Sequence, residues 1–145
     1  MVPSGIDKEK LLIQFDRVEE HLSEINRVKE KLREKEDEIF YSALERLLQL
    51  VIEDCLNIGS HIISGLNLKR ADSYKEIFLR LKEGEIISNE LSEKMQAFVS
   101  FRNRLVHMYW EVNRSEVKEE LEELNYIKQF VKEASKLLWK ELGTG

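Results

Sequence analysis

Proline is all but missing from this chain of 145 residues. Its one example, Pro3, stands at the N-terminus, so nothing downstream is barred from a helix by a locked φ angle. Cysteine also occurs once, at Cys55, which excludes an intrachain disulfide and suits a reducing cytoplasm. Within the apolar run "LQLVIEDCLNIG", Cys55 reads as a small packed hydrophobe rather than a nucleophile. No segment offers the ~20 successive apolar residues of a membrane span, and "MVPSGIDKEK" has no signal-peptide core. A soluble, cytoplasmic protein without a membrane partner is expected. There is no H-E-x-x-H, no Cys/His cluster, no Walker loop and no G-x-G-x-x-G, so neither a metal nor a cofactor is expected. The acid pairs Glu19-Glu20, Glu119-Glu120 and Glu122-Glu123 are spaced as solvated helix faces.

With 23 basic and 28 acidic residues the net charge is −5, which argues against a non-specific nucleic-acid coat. Acids are absent, however, between Asp54 and Asp72 and again between Glu93 and Glu111. These windows hold His61, Lys69, Arg70, Lys94, Arg102, Arg104 and His107. Two readings stand. If the windows adjoin in space, they form a basic surface for a phosphate-bearing ligand; otherwise the segments lack acids because they are buried.

The hydrophobic spacing predicts five helices and no strands, an all-α bundle forming a single domain over residues 1–145. The first runs from about Asp7 to Arg33, on Leu11, Phe15, Val18, Leu22, Ile25 and Val28; the charged "KEKLREKEDE" at its end reads as a solvated turn. The second, about Asp37 to Ser64, is apolar on most of its circumference. It is therefore either central or part of a subunit interface, with Gly65 as its stop. A short third helix from about Ser73 to Lys82 leads through the turn "EGEII" to a fourth, capped by Ser88 and breaking near Tyr109–Asn113. The fifth starts at the capping pair Asn113/Glu116 and ends at Gly143.

The fourth helix contains "FRNRLVHMYW". At about 100° per residue, Leu91, Met95, Phe98, Phe101 and Leu105 form an apolar stripe. Arg102 stands inside its edge and Arg104 points away as an ordinary solvated arginine. A guanidinium at a core edge demands an anion, a cleft, an interface or a salt bridge. Asn103 and His107 stack on the adjoining face, and Tyr109 falls back over Arg102 if the helix persists that far. A fixed cation, an amide, an imidazole and a phenol thus converge.

That set suits RNA cleavage by its own 2′-hydroxyl, which needs a base, an acid and positive charge on the phosphorane, but no protein nucleophile and no metal. Imidazole, with an ordinary pKa of about 6.5, serves as acid or base. One chain offers a single His107, and a symmetric dimer would bring two together. Tyr109 and Trp110 beside basic residues could stack an unpaired base, or Trp110 could cap the core.

Arg102-Asn103-x3-His107-Met108-Tyr109 matches R-x4-H-x-Y, the signature of the HEPN superfamily, and resembles its HepT toxin branch in particular. "ALERLLQLVIEDCLNIGSHII", "SYKEIFLRLKEGEII" and "LSEKMQAFVSFRNRLVHMYWEV" resemble successive central segments of that branch, over about residues 37–113. The resemblance implies a four- to five-helix bundle that forms a homodimer, with both motifs in one cleft. It implies a metal-independent endoribonuclease toxin of a type VII-like toxin–antitoxin pair, acting on tRNA or mRNA. Arg102 and His107 would be catalytic, with Asn103 and Tyr109 in support. Its partner would be an MntA-like nucleotidyltransferase antitoxin that silences it by AMPylation of Tyr109.

Asn57 and His61 also resemble family positions, either lining the cleft or forming a buried hydrogen bond to each other. His21 reads as a surface or boundary residue. Two rival readings use the same residues: a non-catalytic helical partner presenting substrate to a minimal nucleotidyltransferase, and a structural dimer in which Arg102 pairs with a carboxylate.

Overall fold

The computed structural model describes residues 5–144, with side chains to Leu138; Pro3 lies outside them. Among the described residues there are helices and no strands, in the order α1 (Lys8–Glu34), α2 (Glu38–Gly65), α3 (Tyr74–Glu83), α4 (Asn89–His107), a 3₁₀ turn (Tyr109–Glu111), α5 (Arg114–Glu122) and α6 (Asn125–Thr144). The caps explain the starts. The side chains of Asp7, Asp37, Ser73, Ser88 and Asn113 each accept a backbone N–H from the first turn that follows. None of the described helices is long and apolar enough to cross a membrane.

α2 is the central element, as its all-round apolarity implied: it packs against α1, α3, α4, α5 and α6. Leu44, Leu48, Val51, Ile52, Cys55, Ile58 and Ile62 are fully buried along it. Burial, reinforced by the neighbouring Asp54 carboxylate, pushes the Cys55 thiol far up, which fits a packed hydrophobe and not a nucleophile. Ile39 departs from the pattern and stands exposed. α3 reaches α2 at Gly59, where any Cβ would fall on the Ile77 side chain. Phe78 of α3 meets Phe130 of α6 edge to face at 5.4 Å, closing the far side.

Three expectations need correction. Gly65 belongs to α2 and has no left-handed backbone; Asn67, at φ 53°, makes that turn. Gly65 is small because Gly5 and Ile6 pass directly over it. The expected fifth helix is two helices, parted where Glu123, Tyr126 and Ile127 donate to carbonyls three residues back, and α6 runs through Gly143 to Thr144.

The third concerns the acid pairs. Glu120 is half-buried rather than solvated; burial first, then the carboxylates of Glu123, Glu119 and Glu116, push it up to about 7. The folded chain keeps that proton to about pH 7, whereas the unfolded chain gives it up near 4.5. This contribution to stability is therefore full below pH 4.5 and lost as the pH rises through 7. Glu120→Gln should melt with the wild type near pH 4.5 and above it at pH 8, by on the order of 5 °C. Coincident melting curves at pH 8 would contradict this burial.

Candidate active site

The buried stripe Leu91, Met95, Phe98, Phe101 and Leu105 fixes the rotation of α4. Buried Ser92 adds a hydrogen bond to the Phe78 carbonyl of α3, at 2.9 Å. This sets Arg102 at the seam with α2, its side chain 13% exposed. Its Nε and Nη2 donate to one oxygen of Glu53, Oε2, at 2.9 and 2.7 Å, and its Nη1 donates to Asn103 Oδ1 at 3.2 Å. Gln49 donates to the same Glu53 oxygen at 3.1 Å. The Tyr74 ring lies over the guanidinium, with its centroid 5.1 Å from Cζ.

The anion demanded by a core-edge arginine is thus supplied from within, as the salt-bridge reading held. Arginine carries five N–H bonds, three of which are used here. The remaining two, one on each terminal nitrogen, are free for a second anion. Asn103 spends its oxygen on Arg102 and so orients the cation.

His107 is the last residue of α4 and is exposed. Met108, at φ −143° and ψ 45°, ends the helix, and the chain turns through the 3₁₀ segment. Tyr109 therefore does not fold back over Arg102; Tyr74, 28 residues before Arg102, takes that position. Tyr109 is 66% exposed, and Trp110, at 69%, lies outside the core that it was a candidate to cap. The two rings meet edge to face, 5.5 Å apart.

Arg104 is no solvated bystander. It makes a two-pronged ion pair with Glu116 of α5 and donates to the Glu111 carbonyl at 3.3 Å, tying both ends of the 108–113 segment. The Arg104 hydrogen bond holds the Glu116 carboxylate below the ordinary range.

Asn57 and His61 lie one and two turns beyond Glu53 on the same face of α2, lining a cavity of about 600 Å³ with Lys10 and Gln14. They do not bond each other. His61 Nε2 accepts the Asp7 N–H at 3.1 Å, which leaves Nδ1 to donate to Gln14 Oε1 at 3.2 Å. Burial, and then the Lys10 charge, push His61 below its usual range, in keeping with this neutral tautomer. His21 is at the boundary, its Nδ1 2.5 Å from buried Asp54. Burial raises the Asp54 carboxyl, opposed by this hydrogen bond.

The acid-free windows meet only in part. Arg102 reaches Tyr74, at the end of the connection carrying Lys69 and Arg70, while Lys94 lies over Tyr126 and Arg104 is occupied. Among the described residues, no group of three or more His, Cys, Asp or Glu could hold a metal ion.

A family model described as Ribonuclease HepT-like matches residues 12–134. The chain belongs to the HepT-like ribonuclease family. Among its HepT-like relatives is a tRNA nuclease HepT from Aphanizomenon flos-aquae, 34% identical over 73 residues, half of this chain and about half the length of that protein. An Archaeoglobus fulgidus protein provisionally named an RNase is 31% identical over 118 residues, covering 81% of this chain and 83% of that one. The HepT-like fold is that of a solved Shewanella oneidensis HEPN toxin, tri-AMPylated and in complex with an MNT antitoxin. The TM-score is 0.79 at 24% identity, over 85% of this chain and 94% of that one.

Proposed function

We propose that this chain is a cytoplasmic, metal-independent endoribonuclease toxin of a type VII-like pair. The observation that carries this reading is the pairing at the end of α4: an arginine locked in place yet with two N–H bonds to spare, and an exposed imidazole five residues on. In the step this supports, a base takes the proton of an RNA 2′-hydroxyl and that oxygen attacks the adjacent phosphorus. The 5′-oxygen leaves with a proton from an acid, giving a 2′,3′-cyclic phosphate and a 5′-hydroxyl. Arg102 meets the charge on the phosphorane, and His107 moves the proton. A homodimer, with two copies of His107 in one cleft, supplies acid and base together. Relatives that cut tRNA make tRNA the first substrate to try, with mRNA as the other.

The exposed Tyr109 phenol is open to AMPylation by an MntA-like nucleotidyltransferase. The adduct would put phosphate charge and an adenine ring beside the cleft, where RNA must enter. One observation favours the two non-catalytic readings, the nucleotidyltransferase partner and above all the structural dimer: Glu53 already pairs with the Arg102 guanidinium.

Purified protein incubated with tRNA and with mRNA in excess EDTA decides between them. Cleavage products ending in a cyclic phosphate are expected. Intact RNA, with AMP still incorporated at Tyr109, would sink the nuclease and leave the partner.

A further inference from the structure

Resting on the ribonuclease reading, the geometry points to a nucleobase subsite beside Arg102, in the cavity between the end of α2, the 66–73 connection and the start of α3, with Tyr74 as its stacking platform. The cavity holds about 500 Å³, within the range of small-ligand sites. Tyr74 is the residue that it shares with the Arg102 cluster: Tyr74 lines the cavity, and its ring lies over the guanidinium. It is half-exposed, so a base can reach it. Ile63 and Ile77 give the cavity an apolar wall, while Ser60 and Asn67 supply hydroxyl and amide groups for a base edge.

The walls are already in place. Buried Arg80, held by Glu76 and Glu83, donates its Nε–H to the Arg70 carbonyl at 3.1 Å, and Leu68 N–H bonds the Ile63 carbonyl at 2.9 Å. Arg70 itself is 92% exposed, with only a loose 3.8 Å contact to Asp72, the one acid lining the cavity. Its guanidinium can swing to a phosphate at the rim. A single strand would then lay one phosphate on the spare N–H bonds of Arg102 and the neighbouring base on Tyr74.

The test uses full-length protein with short single-stranded RNA. Tyr74→Ala should raise KM by roughly 5- to 150-fold, the range for one lost base stack, and lower kcat by less than that, since Glu53 and Asn103 still hold Arg102. Tyr74→Trp should restore it. An abasic residue at one position flanking the cut should make wild type and Tyr74→Ala equal. Undiminished cleavage by Tyr74→Ala, or a difference that survives abasic substitution at every position, overturns the subsite.

Binding of a fully 2′-deoxy, uncleavable version of the same oligonucleotide, followed by fluorescence anisotropy, separates this from the fate of the nuclease. If wild type binds but does not cut and Tyr74→Ala binds more weakly, the subsite stands without the nuclease. If the wild type cuts RNA and Tyr74→Ala binds equally, only the subsite falls. A change in sedimentation on Tyr74→Ala without a change in RNA binding overturns it in favour of a second copy of the chain on this face.

Discussion

His107→Ala should lower kcat for RNA cleavage by roughly 10²–10⁴, the usual share of a positioned acid or base, and leave the fold as it is. The imidazole is exposed at the last position of α4, and among the described residues it makes no hydrogen bond or ion pair. Substitutions at such positions change stability by about 0.5 kcal/mol or less, which is about 1–2 °C in a chain of this size. Kinetics and melting curves on the same preparation are sufficient. A variant that cuts RNA as fast as the wild type removes His107 from the chemistry. A variant that melts far lower makes the residue structural and contradicts its exposure.

Arg102→Ala should cost about 10²–10³ in kcat, as the loss of one preorganised donor to a transition-state anion does. Here a stability cost is also expected, because the substitution strands Glu53. That carboxylate is 29% exposed and keeps its Gln49 hydrogen bond, so water can take over part of the lost pairing. The cost should be about 1–2 kcal/mol, between that of an exposed pair and that of breaking a fully buried one. Arg102→Lys should recover little activity, since one ammonium cannot hold Glu53 from the side and a phosphate from the end. If Arg102→Ala fails to melt cooperatively, the residue is a strut and the structural-dimer reading gains. If it folds and retains full activity, the spare N–H bonds do nothing.

The starts of α1–α4 were legible because each follows a capping side chain and opens a hydrophobic stripe, both local properties of the chain. The α5–α6 break was not, since Val117, Leu121, Leu124 and Ile127 keep helical spacing straight through it and no glycine or proline marks it. Within the site, Arg102 and His107 could be singled out from residue type and helical phase alone. Their surroundings could not: Glu53 is 49 positions from Arg102, and Tyr74 and Glu116 also come from other elements. Only packing brings them in. Asn57 and His61 carried a hint of Glu53, four and eight residues before them on the same face, but nothing local distinguishes that glutamate from others in the chain. Tyr109 was misplaced because helical phase was carried beyond His107, where Met108 ends it, and of the two readings of Trp110 its exposure removes the core cap.

The edge-to-face contact between Tyr109 and Trp110 makes the turn its own optical probe. An indole 5.5 Å from the phenol and mostly in water would change its emission if the proposed adenylate were attached next door. The other tryptophan, Trp139, contributes a background that a Trp110→Phe protein measures directly. Modification of Tyr109 could then be followed continuously on unlabelled protein, at the same time as its effect on RNA.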